Sequence, residues 1–171
     1  MPRTDTDMIQ SRTAAVQGAA LSSLSMRMVP GESVIERLTA ELDMCEAGGA
    51  AIIAAVGSLR DVTYAVVVPS PKTIATYSER HRAEGTIEIG SLQGHLGRQD
   101  DGTAGSHLHG VFVLPDGNTV GGHVFEAHVL LTLEITLLLS DTVWRIRPLT
   151  LPGHRESPPG LCAFYPEPAE E

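Results

Sequence analysis

"GSHLHGVFVLPDGNTVGGHVFEAHVLLTLEITLLLS", residues 105–140, carries the fold in outline. Two runs rich in strand formers, "SHLHGVFVLP" and "TVGGHVFE", flank "DGN", a composition that turns a chain back on itself as a hairpin. The second run continues into "AHVLLTLEITLLLS", apolar at nearly every position and interrupted by Thr132, Glu134 and Thr136. Such a strand needs cover on both faces. In a chain of 171 residues a second copy is one such cover, so an oligomer is expected.

Outward from this stretch the chain reads mostly as strand. "SMRMV" alternates and can open the sheet. "AAIIAAVGSL" reads as a short buried strand, and "DVTYAVVVPS", "KTIATYSE", "GTIEIGSLQGHLG" and "TVWRIRPLT" follow as further strands. "PGESVIERLTAELDMCEAGG" is the one strong helix. Ser33 stands at the N-cap with Glu36 at the capping-box position. Val34, Ile35, Leu38, Leu42 and Cys45 recur at helical spacing, and Gly48 is the expected stop. These elements predict an α+β fold, a mostly antiparallel sheet of about seven or eight strands with one main helix. Three parts are expected: a flexible N-terminal arm over 1–25, a folded domain over 26–150, and a Pro/Glu-rich tail over 151–171.

Composition narrows the function classes. Hydrophobic residues make up 42% but aromatics only 4%, so the core should be aliphatic. No run approaches the ~18 apolar residues of a spanning helix, and no signal peptide is readable. Two cysteines, Cys45 and Cys162, form no disulfide framework. A cytoplasmic protein outside the membrane is expected. The net charge of −9 opposes unaided nucleic-acid binding, which relies on a basic stripe. The nearest approach, Arg145 and Arg147 in "WRIRPL", reads as a solvated strand edge.

Four of the seven histidines fall within residues 105–128: His107, His109, His123 and His128. His107 and His109, two apart on a strand, project to one face. The hairpin register decides whether His123 joins them. A two-residue turn at Asp116–Gly117 sets His123 opposite Gly110, facing away. A three-residue loop, Asp116-Gly117-Asn118, sets it opposite Val111, on the shared face and diagonal to His109. A bulge at Gly121–Gly122 would also shift the register. Three converging imidazoles suit a divalent metal, Zn²⁺ first, with Fe, Ni or Cu also served by such sets. The triad His107, His109 and His123 is therefore the candidate metal or small-ligand site. His128 has the opposite parity and reads as a hydrogen-bonding residue. The position of His95 relative to the triad is open, and His81 and His154 read as loop residues. Glu88 and Glu134 lie mid-strand among apolar residues. Each reads first as a structural ion pair or an exposed strand position, and Glu88 is the weak catalytic candidate, an acid or base if it stands near a metal. Ser58 reads as a turn residue outside any nucleophile elbow.

The order "PGESVIERL", "VGSLRDV", "EIGSLQGHL", "HLHGVFVLPDGNTVGGHV" and "LTLEITL" resembles the PPC domain, the plant and prokaryote domain of AT-hook nuclear proteins. The likeness runs over roughly residues 26–148. It implies a curved antiparallel sheet, a homotrimer and a DNA-binding label. That label comes from a basic RGRP hook, which is absent here; before Met26 the arm holds only Arg3 and Arg12. The expected function is a trimeric protein of DNA-binding or regulatory type with a histidine-rich metal or small-ligand site. The alternative is a metal-dependent enzyme of unknown substrate.

Overall fold

The computed structural model describes residues 15–149 and 160–168. Its helix, α1 (Val34–Met44), forms where the apolar spacing demands, and the Ser33 hydroxyl accepts the Glu36 backbone N–H at 3.4 Å. Val34, Leu38 and Leu42 point into the core from one face. The helix stops two residues earlier than expected. Cys45 caps it and Glu46, at φ 51, takes the left-handed position assigned to Gly48.

The strands are β1 (Ala20–Met28), β2 (Gly49–Ala65), β3 (Val67–Ser70), β4 (Ile74–Tyr77), β5 (His81–Arg98), β6 (Ala104–Val113), β7 (Thr119–Ser140), β8 (Val143–Pro148) and β9 (Cys162–Glu167). Seven of them form one sheet in the order β1-β7-β2-β5-β8-β9, with β6 paired to both β5 and β7. Hence β2, β5, β6 and β7 close into a ring, while β3 and β4 make a separate two-stranded ribbon. Every pairing is antiparallel except β5 with β8. Register shifts along β2 and β7 bend these long strands enough to wrap.

The ring interior is the core, and it is aliphatic as the composition requires: Leu59, Val62, Ile87, Leu96, Leu108 and Leu133 are all fully buried. Each such side chain contributes roughly 1.5–3 kcal/mol. Period two along β6 sends Leu108 and Phe112 inward and leaves His107, His109 and Val111 outside. The same rule applies to β7, where Leu133, Ile135, Leu137 and Leu139 face in. Its other face is open in the single chain: Leu131 and Leu138 of β7, and Ile53 and Val56 of β2, are exposed.

Several expectations change. β1 begins at Ala20, inside the stretch read as a flexible arm, because Ala20–Met28 pairs with the outer part of β7. Part of the expected tail is strand β9, paired to β8 along its whole length. β8 therefore lies between β5 and β9 and is no solvated edge. Arg145 and Arg147 are engaged by Glu167 and Asp100. Ser58 is a buried mid-strand residue of β2, not a turn residue, and His81 opens β5 opposite Tyr64. His154 lies outside the described residues, as do 1–14 of the arm and 151–159 and 169–171 of the tail.

Candidate metal centre

The hairpin joining β6 to β7 turns through three residues, Pro115-Asp116-Gly117. Val113 pairs with Thr119, and the Leu114 N–H donates to the Asn118 carbonyl at 2.8 Å. Gly117, at φ +83, takes the left-handed place, a position that suits glycine because it has no Cβ. Asp116 Oδ1 accepts the Asn118 N–H at 3.0 Å and fixes the bend. This loop begins one residue earlier than the one that would set His123 opposite Val111. His123 consequently stands directly opposite His109, and Gly122 opposite Gly110. The shared face survives and the diagonal becomes a direct pair. The bulge lies beyond the glycines, at Phe125, where the pairing of β7 with β2 steps between Thr63 and Tyr64.

The three rings meet on the outer face of the ring of strands. Their centroids are 5.1 Å (His107–His109), 5.0 Å (His107–His123) and 5.5 Å (His109–His123) apart. One nitrogen from each lies within 4.8 Å of the others, and the two Nε2 atoms of His107 and His109 are 3.2 Å apart. A tetrahedral ion with bonds of about 2.0–2.1 Å asks for nitrogens about 3.3 Å apart. The Nδ1 of His123 is buried without a hydrogen-bond partner, so a ring nitrogen that should be satisfied is left open at this place. Donor set and orphaned nitrogen both fit a borderline divalent metal.

Surroundings favour the neutral form of His107 and His123, the form that ligates. Burial pushes His107 down, helped by His109 and His95. It pushes His123 down to about 4, helped by the charges of His107, His109 and Arg80. A folded value below the unfolded one means that the unfolded chain takes up protons first. The metal-free protein should thus lose stability as pH falls from about 6.5 through about 4. Urea unfolding of the metal-free chain at about pH 7 and about pH 5 checks this: the midpoint should fall on acidification, and less so in His123→Phe.

Neighbours come from distant parts of the chain. Tyr77 of β4 lies 5.0 Å from the His123 ring, Phe125 4.8 Å, and Phe164 of β9 5.5 Å from His107. Arg80 sits over Phe125, 4.2 Å from the ring centre. A cavity of about 210 Å³ opens against His107 and His123 between Tyr77 and Phe164. A larger one, about 540 Å³, lies between Arg98, Asp100 and Asp141 and touches none of the three histidines. None of the aromatic neighbours or Arg80 was identified from sequence. The scarcity of aromatics was a usable signal, since three of the chain's few rings gather here.

The other candidates fall elsewhere. His95 stands opposite His107 on β5, its ring stacked on Trp144 at 4.6 Å. Its Nδ1 is also buried without a partner, and burial pushes its pKa down. His128 is hydrogen-bonded as expected, with Nδ1 2.7 Å from Asp61 Oδ1. Burial pushes the Asp61 carboxyl up, but His128, Arg60 and Arg82 outweigh it and hold the value below the ordinary one. Glu88 is exposed and pairs with Val113, at the far end of β6 from His107. Glu134 is exposed too and accepts the Thr132 hydroxyl at 2.7 Å. Among the described residues the ligand cluster is histidine alone.

Set beside known proteins, residues 15–140 match the model of the Plants and Prokaryotes Conserved (PCC) domain. No curated protein matches the chain. Among solved structures, a metal-containing protein from Archaeoglobus fulgidus superimposes with a TM-score of 0.68 at 21% identity, over 80% of this chain and 92% of that one. A plant- and prokaryote-conserved (PPC) protein from Pyrococcus horikoshii gives 0.68 at 19% identity, over 80% and 91%. A protein from Ralstonia eutropha JMP134, whose name assigns it provisionally to DNA binding, gives 0.65 at 16% identity, over 81% and 89%. At such identities the likeness is one of fold.

Proposed function

The chain belongs to the Plants and Prokaryotes Conserved domain family, and from that membership we propose a regulatory binding protein whose His107, His109 and His123 hold a divalent metal ion. Zinc is the ion that suits three imidazoles with a further position free. The observation carrying this reading is the meeting of three ligand nitrogens within 4.8 Å on one face of a hairpin. The metal would supply a Lewis-acidic, positively charged point, and the three histidines would hold it on the outer face of the hairpin. Elemental analysis of the purified full chain tests the reading, with one divalent ion per chain expected. Absence of stoichiometric metal after loading with zinc would overturn it.

The protein is further proposed to act as a homotrimer in the cytoplasm. Support comes from the exposed row Ile53, Val56, Leu131 and Leu138, which in a monomer leaves apolar side chains of two neighbouring strands in water. Light scattering should give three times the chain mass of 18.2 kDa. Substituting Leu131 and Val56 with Lys should lower it to the monomer value.

DNA enters through the name of the Ralstonia protein. For this chain the charge of −9 opposes it, and Arg145 and Arg147 already face carboxylates. The enzyme alternative needs a general base beside the metal. Glu88, the residue considered for that role, sits at the other end of its strand pair.

A further inference from the structure

The triad is unusual in what it lacks. Three neutral imidazoles around a divalent ion would leave two positive charges uncompensated, and no Asp or Glu belongs to the described cluster. Arg80 adds a third positive charge nearby. Its guanidinium lies 4.2 Å from the centre of Phe125, whose ring is 4.8 Å from that of His123. No carboxylate among the described residues pairs with Arg80. This is against the pattern of a chain with 21 acidic and 12 basic residues. Most of the other described cations are matched, with Arg27 and Lys72 the exceptions: Arg98 has Asp43, Arg82 has Glu84, Arg147 has Glu167, and His128 has Asp61. His107 and His123 are half-buried while His109 and Arg80 are exposed, and charge gathered where part of it is withdrawn from water favours a counter-charge. Here the protein leaves that role open.

The cavity of about 210 Å³ beside the triad is lined by Tyr77, Phe164 and Ile146, by the polar Gln99 and Ser106, and by His107 and His123. Its volume admits a body of several carbon atoms as well as an oxyanion, and flat aromatic walls favour a flat or branched hydrocarbon group.

We propose that this centre binds a small organic carboxylate, with its carboxyl group between the triad and the Arg80 guanidinium and its apolar body in the Tyr77–Phe164 cavity. The inference rests on the metal reading above. Arginine is suited to the task because its planar fork meets a carboxylate through two parallel hydrogen bonds.

Cobalt(II)-loaded full-length protein tests it, because the visible spectrum of cobalt responds when an anion enters its coordination sphere. The probes are benzoate, acetate, benzamide and inorganic phosphate, with cobalt content measured in every sample. Benzoate is expected to change the spectrum at lower concentration than acetate, and benzamide to leave it unaltered. Arg80→Gln should weaken benzoate about tenfold or more at unchanged cobalt content, and Arg80→Lys should recover part of the loss. A loaded protein indifferent to both carboxylates, or an Arg80→Gln variant that binds benzoate as well as the parent, overturns the inference while the metal reading stands. Phosphate binding in preference to benzoate overturns the organic part and leaves an inorganic anion site. Failure to take up cobalt or zinc at all sinks the metal reading, and the inference falls with it.

Discussion

Replacing His107 and His109 together with alanine should empty the centre, leaving no stoichiometric metal after zinc loading and dialysis. Structural zinc sites contribute about 10–16 kcal/mol, which is roughly 3 kcal/mol per ligand when shared among four, or a hundredfold or more in affinity for each ring lost. Two rings lost remove metal at any practical concentration. His123→Ala alone should weaken binding by about a hundredfold or more. The fold should survive, because these side chains stand on the outer face while Leu108 and Phe112 of the same strand hold the inside. Mass spectrometry of the metal content checks the first claim; light scattering and thermal unfolding check the second. Unchanged metal content in the double variant would place the ion elsewhere. Collapse of the assembly in both variants would mean that the histidines are structural.

The second large effect falls on stability. Phe112→Ala should cost about 3–5 kcal/mol and lower the melting temperature by roughly 10 °C. Phe112 is fully buried, and its ring lies over Gly110, where an added Cβ would come within 2.3 Å of the ring. β6 is tied on one side to β5 and on the other to β7, so it cannot move inward to fill the space left behind. Val111→Ala, one position away on the same strand, removes a side chain 47% exposed and should cost less than about 1 kcal/mol. Denaturant unfolding of the two variants gives the comparison. Equal losses at both positions would mean that the inward and outward faces of β6 are wrongly assigned.

The parts legible from sequence were those set by neighbours in the chain. The cap at Ser33 and the helical spacing of Val34, Leu38 and Leu42 are local, and they appear in the structure as read. Period two along a strand is enough to place His107 and His109 on one face. The pairing of His128 with a hydrogen-bond partner was expected, though Asp61 was not named. The misreadings came from long range. Ala20–Ser25 and Cys162–Glu167 look like arm and tail in isolation, since short polar or Pro-containing stretches lack a strong pattern. They become strands because β7 and β8 offer them unpaired edges. Glu134 is exposed, one of the two readings its position allowed, because alternation along β7 turns it outward.

The sequence by itself determined that this chain builds an aliphatic, mostly antiparallel sheet with one helix, and that two histidines share a face. Backbone pleat and helical period are local rules, and each residue obeys them without knowledge of the rest. Tertiary structure alone decided that His123 faces His109, since a loop beginning one residue earlier or later moves every side chain of the returning strand. It also decided that Tyr77, Arg80 and Phe164 surround the triad. These residues lie tens of positions from the hairpin, and only closure of the ring and the seating of β4 and β9 bring them there.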